Sequence, residues 1–355
     1  MELEYKTDFE SARNRWTDFW NGTNQRPMLY VVLPKRGVDP APKPSSYECT
    51  FGNIDRHIDR VIAWMETHDF LLDAIPAFRV DFASDHFAAL LGCDLKGDPD
   101  NYSTVWAEKC ISSWSSADIK FDPNSFWWQR TCEVIERFRQ RTDGRFLLSG
   151  LTPASNLDAL SAMRGAQELL IDMVMEPETV KEALQQIEKC REEVQAALAL
   201  ELDQPLTGRV TRHGIYCNGY IDAIQCDFSV MISPEMYQEF VLPLVTNHAQ
   251  GLDVAYYHLD GEDAVRHLDM IASVDEIRLI QWVPGAGAPS MKNWDALRER
   301  FDALGLGQLD GGNPEHIKST WQSRNSRCLV YHPDVGSHDE ALRLADELYT
   351  LGKVS

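Results

Sequence analysis

No run of about 18 consecutive apolar residues occurs in this chain of 355 residues, so no membrane-spanning helix is expected. The first residues, MELEYKTDFESARNRW, have no basic start followed by an apolar core. They do not read as a secretory signal, and a cytoplasmic location is expected. Positive charge is scarce: 34 Lys and Arg stand against 55 Asp and Glu, a net charge of −21. With no basic stripe to interrupt it, such a surface repels nucleic acid. Neither G-x-G-x-x-G nor G-x-x-x-x-G-K appears, so a glycine-rich phosphate turn is excluded. The GAGA at 285–288 has no helix starting directly on it and reads as a loop. None of the eight cysteines forms a C-x-x-C pair, which argues against a zinc ribbon or a redox dithiol. They read as scattered free thiols, most of them small core residues. Fixed-period repeats and low-complexity segments are also lacking.

What is present is alternation. Short apolar runs at 28–34, 74–80, 145–151, 214–220, 254–259, 277–283 and 327–332 read as strands. Helical patterns separate them, at 8–20, 177–202, 233–248, 261–272, 290–304, 314–321 and 338–351. Strand then helix, repeated, predicts a parallel sheet with helical crossovers. Without a phosphate turn the expectation is a (β/α)8 TIM barrel rather than a doubly wound sheet. It is expected as a single domain over 1–355, with 1–70 forming an N-terminal helical and loop extension.

Polar residues stand where these strands stop, and in a barrel such ends converge on one cavity. Asn218, Tyr220, Tyr257, Gln281 and Trp282 are therefore expected to bind substrate, with Asp310, His332 and Asp334 at two further strand ends. His258 and Asp260 are two apart on an extended segment and so share a face. An imidazole and a carboxylate there suit a divalent ion, a general acid–base pair, or simply a histidine hydrogen-bonded to a strand-end carboxylate. Asp227 lies in the loop before a Ser233–Pro234 helix start, placed either to face the cavity or to accept nearby backbone amides. Trp106, Trp127 and Trp128 offer an apolar wall, although core packing is the commoner fate of tryptophan.

Several segments resemble the uroporphyrinogen decarboxylase superfamily, which includes methyltransferases of corrinoid-dependent methyl transfer. They are HFAALLGCDLKGDPDNYSTVW, SGLTPASNLDALSAMRGAQELLIDMVMEPETV, CDFSVMISPEMYQEFVLPLV, YYHLDG and IQWVPGAG, in that order, and the resemblance spans about residue 9 to the C-terminus. It implies a methyltransferase that demethylates a small methylated compound at the barrel mouth and works with a corrinoid protein, with a homodimer as a candidate assembly. It also implies a divalent metal, zinc. The family's thiol-alkylating members hold zinc with a histidine, a cysteine two residues later and a cysteine near the last strand. Here His258 matches the first, Asp260 stands at the second, and HPDVG (332–336) offers Asp334 or His332 in place of a cysteine. The catalytic set read this way is His258, Asp260 and Asp227, and the metal set is His258, Asp260 and Asp334. The alternative is a cofactor-independent decarboxylase or lyase of a small carboxylic acid, with Asp227 or His258 handling the proton. The family's decarboxylases hold porphyrin carboxylates with arginines near the N-terminus, for which no match stands here.

Overall fold

Apolar runs too short for helices become strands where β-branched and aromatic residues dominate. The computed structural model describes residues 2–98, 101–202, 207–285, 288 and 294–352. Its strands are β1 (Met28–Pro34), β2 (His68–Leu72), β3 (Ala77–Arg79), β4 (Leu95–Asp98), β5 (Asn101–Ala107), β6 (Leu147–Ser149), β7 (Arg209–Val210), β8 (Tyr216–Cys217), β9 (Ile221–Gln225), β10 (Val254–Asp260), β11 (Ile277–Val283), β12 (Gly307–Gly312) and β13 (Leu329–Pro333). Strands β9, β10, β11, β12, β13 and β1 run parallel, side by side in that order, and β2 pairs antiparallel with β1 at the edge. A second parallel pair, β3 with β6, stands apart.

The closed barrel expected from the sequence is thus not what the backbone ladders draw. Among the described residues the seven-stranded sheet stays open between β2 and β9. β3 and β6 are only three residues long, and at their flanks side chains replace ladders. Asp73 accepts the Leu29 backbone N–H at 2.8 Å beside β1. Thr152 donates to Asp222 of β9 at 2.7 Å, and Arg209 donates to the Leu151 carbonyl at 2.7 Å. All the parallel strands nonetheless feed one apolar cluster, through Met28, Ala77, Leu147, Ile221, Ala223, Tyr256, Leu279, Leu309 and Val330. Alternate residues face outward onto helices: Leu29 and Tyr331 pack against Ile317, Trp321 and Leu344.

The helix Phe9–Trp20 presents Phe9, Ala12, Trp16 and Phe19 to the inner cluster, beside the residues that start β1, β9 and β10. The Trp16 indole N–H donates to the Asp73 carbonyl at 2.9 Å, and that of Trp20 to the Tyr216 carbonyl at 2.8 Å. The fully buried Asp73 carboxylate accepts from Arg15 Nε at 2.6 Å and Arg26 Nη1 at 2.6 Å. The strands therefore start from the closed end, and their C-terminal ends form the open one.

Several local expectations are corrected. The expected helix 233–248 is two, Pro234–Phe240 and Leu242–Gln250, because Pro243 cannot donate within a continuous helix. The 261–272 stretch begins as a 3-10 turn, Glu262–His267, and only Leu268–Ala272 is α-helical. The expected helix 290–304 is seen as Asp295–Ala303, and 290–293 lie outside the described residues. In 214–220 only Tyr216–Cys217 is a strand, part of a small ribbon with β7; the sheet strand is β9, after the Asn218–Gly219 turn. Finally, Cys93 and Cys110 form a disulfide, with Cα atoms 5.3 Å apart, whereas the free-thiol reading holds for Cys49, Cys132, Cys190, Cys217, Cys226 and Cys328. No described helix is long and apolar enough to cross a membrane.

Candidate functional site

Register builds the site. His258 of β10 is paired with Gln225 of β9 on one side and Gln281 of β11 on the other. The strand period of two then lifts Asp260 one step further toward the mouth than His258, and Asp227 opens the 3-10 turn Asp227–Met231 just past the end of β9. One ligand atom each of Asp227, His258 and Asp260 lies within 4.8 Å of the others. His258 Nε2 is 3.9 Å from an Asp227 oxygen and 4.0 Å from an Asp260 oxygen.

The tautomer follows from a single contact. His258 Nδ1 hydrogen-bonds the Gln281 side-chain oxygen, which can only accept, while the Gln281 amide N–H faces the Trp282 carbonyl at 3.5 Å. Nδ1 therefore carries the proton, and Nε2 turns its lone pair to the two carboxylates. Burial, then the charge of Arg212, pushes the His258 pKa down to about 4, so the ring is neutral near pH 7. Asp227 moves the other way, up to about 7. The cause is first the enclosing walls, although 47% of its side chain remains open to the mouth, and then the carboxylates of Asp158 and Asp260. Asp260 is raised too, chiefly by burial.

A second tier holds this set in place. Asp158, at the start of the helix Leu157–Arg164, accepts the backbone N–H groups of Asp227 at 3.0 Å and Phe228 at 2.9 Å, and the Gln225 amide at 3.2 Å. Asn156 donates to the Gln225 carbonyl at 2.6 Å. The Gln225 amide also donates to Asp227 at 3.0 Å. The His213 ring lies 5.6 Å from that of His258, with Nδ1 hydrogen-bonded at 2.9 Å to the Tyr256 hydroxyl. The His213 carbonyl lies 3.1 Å from His332 Nε2. Arg212 is near enough for its charge to act on Asp227, His258 and Asp260. It also lines a cavity of about 300 Å³ with Tyr30, His57, Phe78, Arg79 and Asp81. On the other side, Asp158, Gln225 and Asp227 line an open groove with Ser84, Asp85 and Phe228.

The other expected residues are placed elsewhere. Asn218 and Tyr220 precede β9 and so lie at its starting end, away from the mouth; the Tyr220 backbone N–H donates to Asp253 at 2.8 Å. Tyr257 and Trp282 are one residue off the inward phase. Tyr257 faces outward to Tyr237, whose hydroxyl donates to it at 3.2 Å, and Trp282 packs on Trp294 with ring centroids 5.4 Å apart. Asp310 also faces the helices, as an ion pair with Arg298 Nε at 2.6 Å. Asp334 does not belong to the ligand group; its backbone N–H donates to the Gly312 carbonyl at 2.8 Å. Trp127 and Trp128 are core residues, and Trp106 is exposed. The sequence reasoning missed Asp158, Arg212, His213 and Gln225. The one local signal available was for Gln225, the polar residue two before Asp227 at the end of an apolar strand.

No family profile matches the sequence, and no curated protein matches it. A methyltransferase from Methanosarcina mazei has a similar structure: the TM-score is 0.60 at 12% identity, over 98% of this chain and 100% of that one. At that identity the likeness lies in the fold alone, and the chain shares with that methyltransferase its overall mixed α/β architecture.

Proposed function

We propose that this chain is a methyltransferase on an eight-stranded parallel barrel. Asp227, His258 and Asp260 hold a divalent cation, zinc, and the methyl group of a small methylated compound passes to a corrinoid carried by a partner protein. The barrel reading rests on the six-strand run and the two-strand pair that share one inner cluster, with side-chain contacts at both seams. The similar fold of a methyltransferase supports the reading of the activity.

The observation that carries the proposal is the donor set. A neutral imidazole with its free lone pair turned to two carboxylates, within 4.8 Å, suits a divalent ion with room for a further ligand. Gln281 supplies the outer hydrogen bond that metal-binding histidines commonly have. A cation also answers the electrostatics, since the carboxyls of Asp227 and Asp260 are both held up in its absence. Asp260 replaces the softer thiolate that the superfamily resemblance implies, and Asp227 takes the place expected of Asp334. Bound there, the ion would supply Lewis acidity toward an oxygen or nitrogen leaving group rather than activation of a thiol. The protein's own part is orientation: Gln281 fixes the imidazole, Asp158 fixes the loop carrying Asp227, and His213 stays neutral beside them.

A second reading, a metal-independent decarboxylase or lyase, draws on Asp227, whose pKa near 7 suits a general acid. One experiment separates the two. Zinc-loaded protein is incubated with O- and N-methyl compounds and cob(I)alamin, and methylcobalamin formation is followed by absorbance. Transfer that stops on chelation and returns with zinc supports the methyltransferase. Protein that takes up no metal yet releases carbon dioxide from small acids would replace it with the second reading.

A further inference from the structure

The cavity beside the ligand group has a charge balance unlike that of the chain. Overall there are 55 acidic residues against 34 basic ones. The cavity is lined by three cations, Lys43, Arg79 and Arg212, and one carboxylate, Asp81. Arg79 is already paired with Asp81 at 2.5 Å. Asp158, on which the charge of Arg212 also acts, is taken up by two backbone amides and the Gln225 amide. Arg212 is different: its Nη2 is buried and has no hydrogen-bond partner. A buried guanidinium nitrogen without an acceptor is unfavourable, because it has lost water and gained nothing. Such a group in a cavity wall is what a site built for a ligand oxygen leaves open.

The rest of the wall fixes the ligand's other half. Val61, Trp64, Met65, Ile75 and Phe78 are apolar, and Tyr30 adds an aromatic ring. His57, only 1% exposed, also lines the cavity, with both ring nitrogens unpartnered. A volume of about 300 Å³ is at the small end for ligand sites. It suits one ring or a short chain, not a tetrapyrrole.

We infer that this cavity is the substrate's anchoring site and that it takes a small, predominantly apolar monocarboxylate, whose acid group pairs with Arg212 Nη2 while its body lies against Phe78, Trp64 and His57. This rests on the methyltransferase reading only in calling the ligand a substrate; the anion site stands on the cavity itself. Arg212 lies between this cavity and the Asp227–His258–Asp260 group. A carboxylate held on Arg212 is therefore the end of the molecule nearest those ligands, and the apolar body extends away from them into the cavity. Planar bidentate recognition of a carboxylate is what a guanidinium does best.

The test uses benzoate and its neutral isostere benzamide, titrated calorimetrically into zinc-loaded and chelator-treated protein. Benzoate should bind at least about tenfold more tightly than benzamide, as loss of a charge-assisted pair implies. Arg212→Gln should erase that preference, and Arg212→Lys should keep part of it. Far-UV circular dichroism and thermal unfolding of Arg212→Gln should match wild type, which shows that the variant is folded. The benzoate preference should survive chelation, whatever happens to methyl transfer. No preference for the acid, whether through equal binding or through no binding of either probe, would overturn the inference. So would a preference that disappears with the metal, since benzoate would then be a metal ligand, or one that Arg212→Gln leaves intact.

Discussion

His258 and Gln281 sit opposite each other on adjacent parallel strands, and the amide oxygen of one decides which nitrogen of the other is protonated. Gln281→Leu removes that acceptor while keeping the bulk. Zinc affinity should fall by about 10- to 100-fold, the usual effect of losing an outer hydrogen bond to a metal-binding histidine. Gln281→Glu, which still accepts, should bind at least as tightly as wild type. Chelator competition at neutral pH reads both, and an unchanged affinity in Gln281→Leu would show that Nε2 is not the ligand atom.

His258→Ala should lose metal and turnover together. Asp260→Cys should tighten zinc, because a thiolate is the softer donor. Asp334→Ala should leave metal stoichiometry at the wild-type value, since that residue is outside the ligand group. Elemental analysis after dialysis distinguishes the three, and metal loss in Asp334→Ala would return the third ligand to the last strand.

Burial, and then the charge of Arg130, pushes the His57 pKa down to about 4. The folded state therefore holds the ring neutral, while the unfolded chain takes up a proton below its ordinary pKa of about 6.5. The stability linked to His57 is complete above that value and is lost as the pH falls from about 6.5 toward 4, by at most about 3 kcal/mol. Comparing urea denaturation of wild type and His57→Phe across this window isolates it, because groups common to both cancel. A difference that does not vary with pH would mean that the ring already has a partner.

Burial pushes the Asp73 carboxyl up, but Arg26, Arg15 and the Leu29 amide outweigh it and hold the group ionised. Asp73→Ala leaves two arginines around an uncompensated space at the junction of the first helix and β1. A loss of about 3–5 kcal/mol in chemical denaturation is expected, as for other broken buried pairs. A loss below about 1 kcal/mol would place the pair among ordinary surface contacts.

Much of this was legible in the residues. The runs 28–34 and 277–283 are strands with the bounds their apolar content suggests, and His338–Leu351 is the helix its pattern describes. His258 and Asp260 share a face because strand spacing is local and readable, and Asp227 joins them from the turn that follows β9. Phase was harder. Tyr257 and Trp282 lie next to the inward residues and point away, and a run apolar on both faces does not say which residues face in. The Gly214–Tyr220 run misled because β9 is short and begins just after it, which moved Asn218 and Tyr220 to the wrong end. The roles of Arg212 and Asp158 depend on contacts between residues far apart in sequence, and nothing local marks them.

The two halves of the mouth rest on different kinds of backbone. His258 and Gln281 belong to seven-residue strands in the middle of the sheet. Arg212 follows a two-residue strand and sits in the turn before Gly214. Such segments open at different free energies, the turn by local fluctuation and the central ladder only with much of the molecule. Amide hydrogens around Arg212 should therefore exchange with solvent well before those of Leu259 and Trp282. On gentle warming the preference for benzoate proposed for Arg212 should fade before zinc binding at the proposed ligand group does.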